Sequence, residues 1–271
     1  MIKSSLFTKK KTNFFEQDYV DYSIELKTGP VIIQLESTDA IFSRYIKSRY
    51  LDFLSDEAKG AATYYVRFYS YQPGLEFKSH ETEDFIFGSI LFNNIFNYRQ
   101  HKKNGRLDVI LPLSYIDWEI DNILKLYFSG ISLNHNVLLI HASAIIKDNK
   151  AVLFTGPSGA GKSTISSLSQ YEVIHDDIIA ISILEDNRFY LRTIPFKIGY
   201  KKREFIGEVN GFYRIFQSNI TRVEDINKQT QLMHILFSVW NFDTFKALQT
   251  ISKADIMNYC TSLSMRITVK N

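Results

Sequence analysis

One stretch, AVLFTGPSGAGKSTISSL at residues 151–168, constrains this chain more than any other. Its first five residues are apolar or β-branched and predict a strand, whereas the residues after 161 predict a short helix. Between them, Gly156, Gly161, Lys162 and Ser163 satisfy the pattern G-x-x-x-x-G-K-[ST], which defines a P-loop. Because a strand before and a helix after are the context that this motif requires, the sequence predicts a phosphate-binding loop.

The residue types in this loop explain what it would hold. Glycine lets the backbone bend so that successive N–H groups converge on phosphate oxygens, and the following helix adds its positive N-terminal end. Lys162 would place its charge against the β- and γ-phosphates, and the Ser163 hydroxyl would bind Mg2+ with support from Thr164. We therefore expect Mg2+ and a nucleoside triphosphate as ligands. The predicted phosphate-binding residues are Gly156, Pro157, Ser158, Gly159, Ala160, Gly161, Lys162, Ser163 and Thr164.

An acidic pair follows the P-loop, within the apolar run VIHDDIIAI at residues 173–181. Adjacent strand residues point to opposite faces, so Asp176 and Asp177 are expected to have different roles, unless the strand ends there and both reach one site. Phosphoryl transfer requires metal binding and an acceptor for the proton of the attacking hydroxyl. We assign the catalytic base to Asp176 and metal binding to Asp177, and the opposite assignment stays open. The alternative is a solvent-exposed pair on an edge strand.

A histidine interrupts the apolar run before the P-loop strand, in VLLIHASAII. If this run and the P-loop strand form a hairpin around KDNK (147–150), His141 lies near the P-loop, where an imidazole could polarise an aspartate. A core histidine with satisfied hydrogen bonds is an equal alternative. We assign a structural role to His175.

Composition narrows the class of protein. The chain has 271 residues, 45% apolar and 14% aromatic, which is enough to bury a sizeable core. Its formal net charge of +3 is spread along the sequence, so we expect no nucleic-acid partner. Cys260 is the only cysteine, which excludes an intrachain disulfide. No apolar run is long enough for a signal peptide or a membrane span, so we expect a soluble cytoplasmic protein without a membrane partner. A homo-oligomer is compatible with the sequence.

Strand patterns dominate the first half of the chain. A hairpin is predicted over 22–37, and strands over 62–71 and 106–113, whereas 83–98 is ambiguous between strand and helix. A helix is predicted over 114–130, with Gly130 as its C-terminal stop. We therefore divide the chain into a β-rich N-terminal module of residues 1–130, interpreted as presenting the substrate, and a P-loop catalytic domain of residues 131–271.

The second half alternates strands and helices, which predicts an α/β domain. Beyond the P-loop, Asp225 is predicted as the N-cap of the first of two C-terminal helices. The predicted strands cover 135–146, 150–156, 171–182, 188–196, 211–217 and the closing MRITVK, and the predicted helices cover 223–240 and 243–260.

The ordered segments IHASAI, LFTGPSGAGKST and VIHDDIIAI resemble the catalytic domain of HPr kinase/phosphorylase and its stand-alone relatives, which share a group with the ATP-dependent phosphoenolpyruvate carboxykinases. The resemblance covers residues 135–240. It implies an α/β sheet around the P-loop and ATP- and Mg2+-dependent phosphorylation of a serine hydroxyl. It also implies that Lys162 and Ser163 bind phosphate and metal, that the aspartate pair supplies base and metal ligand, and that His141 assists the base.

Departures from that family shape the expected substrate. The link between Lys162 and Asp176 is short, and neither the C-terminal signature nor the N-terminal domain of HPr kinase is recognisable. We therefore expect the acceptor to be a serine of a peptide or protein, or a small hydroxylated molecule. The alternative from another class is a nucleotide-dependent switch that transfers phosphate to no acceptor. Carboxykinase chemistry is disfavoured because no residues for a second metal and a dicarboxylate stand out.

Overall fold

A computed structural model describes residues 22–37, 39–54, 61–70, 80–81, 85–91, 95–111, 116–184, 186, 188–196, 205–220, 222–240, 253–266 and 269–270. The chain forms two compact units. The first comprises residues 1–27 and 32–120, and the second comprises residues 28–31 and 121–271. The sequence-based boundary at residue 130 falls inside a helix, Ile116–Ser132, and the division between the units lies near the start of that helix.

The first unit contains β1 (Tyr22–Thr28), β2 (Val31–Ser37), α1 (Ala40–Arg49), β3 (Ala62–Ser70), β4 (His80–Glu81), β5 (Phe85–Leu91), β6 (Ile95–His101) and β7 (Leu107–Leu111). Its seven described strands form a sheet in the order β1-β2-β3-β7-β6-β5-β4. Strands β3 and β7 are parallel, and β4 to β7 are joined by antiparallel pairing. The predicted hairpin over 22–37 is confirmed, and the ambiguous stretch 83–98 contributes two antiparallel strands.

The second unit contains most of α2 (Ile116–Ser132), together with β8 (Val137–Lys147), β9 (Lys150–Thr155), α3 (Lys162–Leu168), β10 (Glu172–His175), β11 (Ile178–Ile183), β12 (Phe189–Arg192), β13 (Ile206–Arg214), α4 (Lys228–Ser238), α5 (Lys253–Arg266) and β14 (Val269–Lys270). It combines strands and helices, so the fold is mixed α/β as expected. Its sheet has the strand order β10-β8-β11-β12-β13-β14. Strand β9 pairs with both β8 and β13, which closes β8, β9, β13, β12 and β11 into a ring of paired strands.

The core of this unit lies between the strands and helices α4 and α5. Apolar side chains of β8, β9 and β11 pack against Ile235 of α4 and Leu263 of α5. Cys260 is fully buried in this cluster, and burial raises the pKa of its thiol to about 12, which keeps it protonated and unreactive. In the described part of the chain, no helix has the length and apolar character that crossing a membrane would require.

Three sequence expectations need correction. The predicted strand over 171–182 is interrupted, because β10 ends at His175 and β11 begins at Ile178. Helix α4 begins at Lys228 and is capped by Asn227, whose side chain accepts a hydrogen bond from the N–H of Thr230 (2.9 Å), so Asp225 is not its N-cap. An amide oxygen two residues nearer the helix meets its unpaired N–H groups directly. The predicted helix over 243–260 lies partly outside the described residues, and its described part continues to residue 266.

Candidate phosphate-binding site

The hairpin between β8 and β9 brings the P-loop next to His141. A two-residue turn joins the strands, with Asp148 and Asn149 both at positive φ (51° and 60°), which are type I′ values typical of tight hairpins. Its register pairs Lys147 with Lys150 and Ala142 with Thr155. His141 therefore lies one residue beyond the partner of the last residue before the P-loop, as the hairpin hypothesis predicted.

The P-loop occupies residues 156–161, between β9 and α3. Gly156, Gly159 and Gly161 all have positive φ (151°, 77° and 102°), a region that other residues rarely adopt. At Gly156 a close approach adds to this requirement, because a Cβ there would lie 2.8 Å from the carbonyl oxygen of Ile215. The loop therefore needs glycine at its first position both for its backbone angles and for contact with the chain after β13.

Lys162 begins α3 and is 7% exposed. Its Nζ donates hydrogen bonds to the carbonyl oxygens of Gly156 (2.9 Å) and Pro157 (3.0 Å), so the ammonium lies across the mouth of the loop. Burial lowers the pKa of Lys162; the charge of Asp177 opposes this shift and that of Arg214 adds to it. The buried Ser143 hydroxyl of β8 donates to the Lys162 carbonyl oxygen (3.0 Å) and fixes the first turn of α3 against the strand.

Asp176 and Asp177 form a bend between β10 and β11, both of which pair with β8. The N–H groups of Asp177 and Ile178 donate to Nδ1 of His175 (3.2 Å and 3.3 Å), which requires an imidazole with an unprotonated Nδ1. The N–H of Ala142 donates to the carbonyl oxygen of Asp177 (3.0 Å). The bend is therefore fixed from both sides, and the structural role expected for His175 is to shape it.

The bend places the Asp177 carboxylate between two basic side chains. Its Oδ1 lies 3.5 Å from Nε2 of His141, and its Oδ2 lies 3.5 Å from Nζ of Lys125 on α2. The Lys125 side chain is only 10% exposed, whereas those of Asp177 and His141 are 31% and 45% exposed. The accessible Asp177 carboxylate therefore faces a buried ammonium and a half-exposed imidazole, and its charge acts on the buried P-loop lysine.

The structure brings together Lys162, Asp177 and His141, three of the residues singled out in the sequence. Ser163 and Thr164 lie exposed in the first turn of α3, and Asp176 is half-buried in the bend. Sequence reasoning missed Lys125, although its charge within the apolar run ILKLYF was a usable signal. It also missed Arg214, which pairs in register with Thr155 at the end of β9 and therefore adjoins the loop.

The donor set fits magnesium, which prefers oxygen ligands and keeps several water or phosphate oxygens. The Ser163 hydroxyl and the carboxylates of the bend supply such oxygens. Within the described ranges, no group of three or more His, Cys, Asp or Glu side chains could hold a metal by itself. The ion would therefore depend on a phosphate ligand, as Mg2+ in nucleotide sites commonly does.

Fold and site together define a mixed α/β protein with a P-loop beside a carboxylate, an imidazole and a second lysine. No family model matches the chain. It is 41% identical over 71 residues to phosphoenolpyruvate carboxykinase (ATP) of Kluyveromyces lactis, a match that spans 26% of this chain and 13% of that enzyme. A solved structure with a partial likeness is the HPr(Ser) kinase/phosphatase of Coxiella burnetii, at TM-score 0.24 and 20% identity, covering 32% of this chain and 77% of that one.

Proposed function

We propose that this protein is a Mg2+- and ATP-dependent phosphotransferase that transfers the γ-phosphoryl group to a hydroxyl, with a serine of a peptide or protein as the acceptor. The observation that carries the proposal is the position of the Asp177 carboxylate. It lies within 3.5 Å of His141 and Lys125, and its charge raises the pKa of buried Lys162, against the larger effect of burial. The short match to an enzyme named for ATP supports the choice of nucleotide.

The N–H groups of the P-loop and Lys162 would bind the phosphates. The lysine Nζ is already oriented across the loop by two carbonyl oxygens, so a phosphate oxygen could replace either of them with little movement of the side chain. An ammonium and converging N–H groups stabilise the negative charge of a transferring phosphoryl group. Ser163 and a carboxylate of the bend would hold Mg2+, which neutralises phosphate charge when bound.

The base is assigned to Asp177 in this proposal. The acceptor oxygen attacks the γ-phosphorus, the bond to the β–γ bridging oxygen breaks, ADP leaves, and the hydroxyl proton passes to the Asp177 carboxylate. His141 and Lys125 orient that carboxylate, and the exposed imidazole offers the proton a path to solvent. The sequence analysis assigned the base to Asp176 and metal binding to Asp177. The proposal exchanges these roles because Asp177 is the residue that contacts His141 and Lys125. The first unit is proposed to present the acceptor.

The test is phosphate transfer from γ-labelled ATP with Mg2+, first to proteins and peptides of a cell extract and then to purified acceptors. We expect acid-stable label on serine, abolished by Lys162→Ala. Asp177→Asn should lower kcat by about 10²- to 10⁴-fold, the usual contribution of a general base. Asp148→Asn in the exposed β8–β9 turn removes a carboxylate without touching the site and is the matched control.

Several outcomes would contradict the proposal. Release of free phosphate with no labelled acceptor would favour the nucleotide-dependent switch. Label on a small molecule alone would replace the peptide acceptor by a small hydroxylated substrate. If Asp177→Asn kept full activity and Asp176→Asn lost it, the base would return to Asp176, as assigned from the sequence.

A further inference from the structure

The β6–β7 hairpin of the first unit ends in a basic turn that the proposed chemistry does not use. Its sequence, RQHKKNGRLD at residues 99–108, contains four Lys or Arg residues and one Asp. The backbone N–H of His101 donates to the carbonyl oxygen of Arg106 (2.9 Å) and closes the turn, in which Lys102 and Lys103 are exposed. We call residues 99–108 the basic hairpin.

A buried carboxylate organises the base of the basic hairpin. Asp108 is fully buried, and its Oδ2 accepts two hydrogen bonds from Arg99 (2.9 Å and 2.6 Å). Nε2 of His101 lies 2.9 Å from the same oxygen, and Nε of Arg106 donates to Oδ1 (2.9 Å). Burial raises the pKa of Asp108, but the hydrogen bond from His101 and the charges of both arginines outweigh burial and lower that pKa, so the carboxylate is ionised. A carboxylate offers about four lone pairs, so these contacts leave it little capacity for another donor.

Nitrogen donors remain in excess around this carboxylate. Arg67 on β3, only 6% exposed, is in register with Asp108 and donates from Nε to Glu36 (2.8 Å). Its Nη1 is buried and has no hydrogen-bond partner among the described residues. Within the same part of the chain, the side chain of Arg106 is hydrogen-bonded through Nε alone, which leaves its two terminal NH2 groups for another acceptor. Three guanidinium groups therefore accompany two carboxylates.

An anionic ligand would supply the missing acceptors. The Arg106 side chain is 20% exposed, so a ligand can reach it. A guanidinium fork binds a carboxylate through two parallel hydrogen bonds, whereas the ammonium groups of Lys102 and Lys103 act as point charges whose attraction is screened by salt. A flexible chain with several carboxylates engages both kinds of cation, whereas a single small anion satisfies only the fork.

We propose that the basic hairpin binds an acidic segment of the acceptor peptide, with Arg106 paired to one carboxylate and with Lys102 and Lys103 attracting others. This rests on the proposed function in that the acceptor is a peptide or protein, and it goes further by naming the chemical class of that peptide and the residues that select it. Arg106 is then a specificity-determining residue that takes no part in phosphoryl transfer. Its hydrogen bond to Asp108 holds the guanidinium in place before the peptide binds, which reduces the entropy that binding costs.

The experiment measures binding of a fluorescent serine peptide flanked by glutamates to the full chain, by anisotropy, without ATP or Mg2+. The matched probe carries glutamine in place of every glutamate. We expect the glutamate peptide to bind far more tightly, and its Kd to rise as salt is raised from about 0.1 M to about 1 M, because the screening length falls from about 10 Å to about 3 Å. In the transfer assay with labelled ATP, the glutamate peptide should have the lower KM and the same kcat.

Variants of the hairpin separate the guanidinium fork from the general charge. Arg106→Gln should raise the Kd of the glutamate peptide by about 10- to 150-fold, the equivalent of losing one hydrogen-bonded charge pair. Arg106→Lys should recover only part of the affinity, because an ammonium has no fork. The double variant Lys102→Gln/Lys103→Gln should raise the Kd by about 2- to 25-fold.

The double variant changes only exposed side chains, so it keeps the proposal testable if Arg106→Gln does not fold. Lys47→Gln on α1 is the matched control, since it removes an exposed charge of the first unit outside the basic hairpin and should leave the Kd unchanged.

The assignment is overturned if the glutamine peptide binds as tightly as the glutamate peptide, or if no hairpin variant weakens binding more than Lys47→Gln does. A single-stranded RNA that displaces the glutamate peptide and binds more tightly would replace the peptide by a nucleic acid. Failure of this assignment is distinguishable from failure of the phosphotransferase proposal. Hairpin-dependent peptide binding without any phosphate transfer would leave the peptide site standing and remove the enzyme. Transfer to serine peptides with a KM that depends neither on their charge nor on the hairpin would do the reverse.

Discussion

Replacing His175 by leucine should destabilise the second unit by about 1.5–4.5 kcal/mol, because Nδ1 of His175 is the acceptor for two backbone N–H groups. The N–H of Ile178 belongs to a buried residue, and leaving such a donor unsatisfied costs about 1–3 kcal/mol. The N–H of Asp177 belongs to a half-buried residue that water can reach, so its loss costs about 0.5–1.5 kcal/mol. Leucine has a similar volume to histidine, so little cavity cost is added.

The assay is urea-induced unfolding, read as the free energy of unfolding, together with kcat for phosphate transfer. His175→Asn is the informative second variant, because its Oδ1 can accept hydrogen bonds close to the position of Nδ1. We expect it to recover part of both the stability and kcat, since the bend would again hold the Asp177 carboxylate in place. If leucine cost less than about 0.5 kcal/mol, or if asparagine recovered nothing, the imidazole would not be what fixes the bend.

Three further outcomes are expected. Gly156→Ala should lower the free energy of unfolding by about 2–5 kcal/mol, because its Cβ would lie 2.8 Å from a backbone oxygen. The Cβ of Gly159→Ala would meet nothing within 4 Å, so this variant should lower the free energy of unfolding by only about 1–2 kcal/mol, the cost of its positive φ. Equal losses for the two variants in urea unfolding would contradict the close approach at Gly156. Lys125→Ala should lower kcat by about 10- to 100-fold with little change in the KM for ATP, and Lys125→Arg should lower kcat less. A change in KM alone would indicate that Lys125 acts in nucleotide binding instead. Burial, and secondarily the charge of Arg214, lowers the pKa of His234 from its ordinary 6.5. The unfolded chain therefore binds a proton on His234 more tightly than the folded chain does, so the free energy of unfolding should fall as the pH drops below about 6.5. Measured by urea unfolding at several pH values, His234→Gln should weaken this dependence, and an unchanged slope would exclude the histidine as its source.

Much of the secondary structure could be predicted because it follows from local pattern. Alternating and β-branched residues located the β1–β2 hairpin and β3, and an apolar stripe located α2 to within two residues at each end. The stretch 83–98 stayed ambiguous because its apolar run fits either period, and only pairing of β5 with β6, and of β6 with β7, makes it strand. An end of the strand at the acidic pair was only an open alternative in the predicted strand over 171–182, because the apolar residues on both sides favour a continuous strand and VIHDDIIAI has no glycine or proline to mark a bend.

The candidate site likewise has one part that could be predicted from local sequence pattern and another part that could not. His141 could be placed because a two-residue turn fixes the register of a hairpin, so a position on β8 follows from the position of the loop on β9. The roles within the acidic pair could not be separated, because they depend on the bend that His175 shapes and on which basic groups face it. Lys125 reaches Asp177 across 52 residues of sequence, a separation over which no pattern specifies contact.

By itself, the sequence determined the P-loop, because the loop is formed by consecutive residues and its backbone angles are encoded by three closely spaced glycines. Only the tertiary structure decided which carboxylate faces that loop and which cations accompany it. Those groups come from α2, β8, the β10–β11 bend and the end of β13, and their distances depend on strand register and helix packing, which the whole fold sets at once.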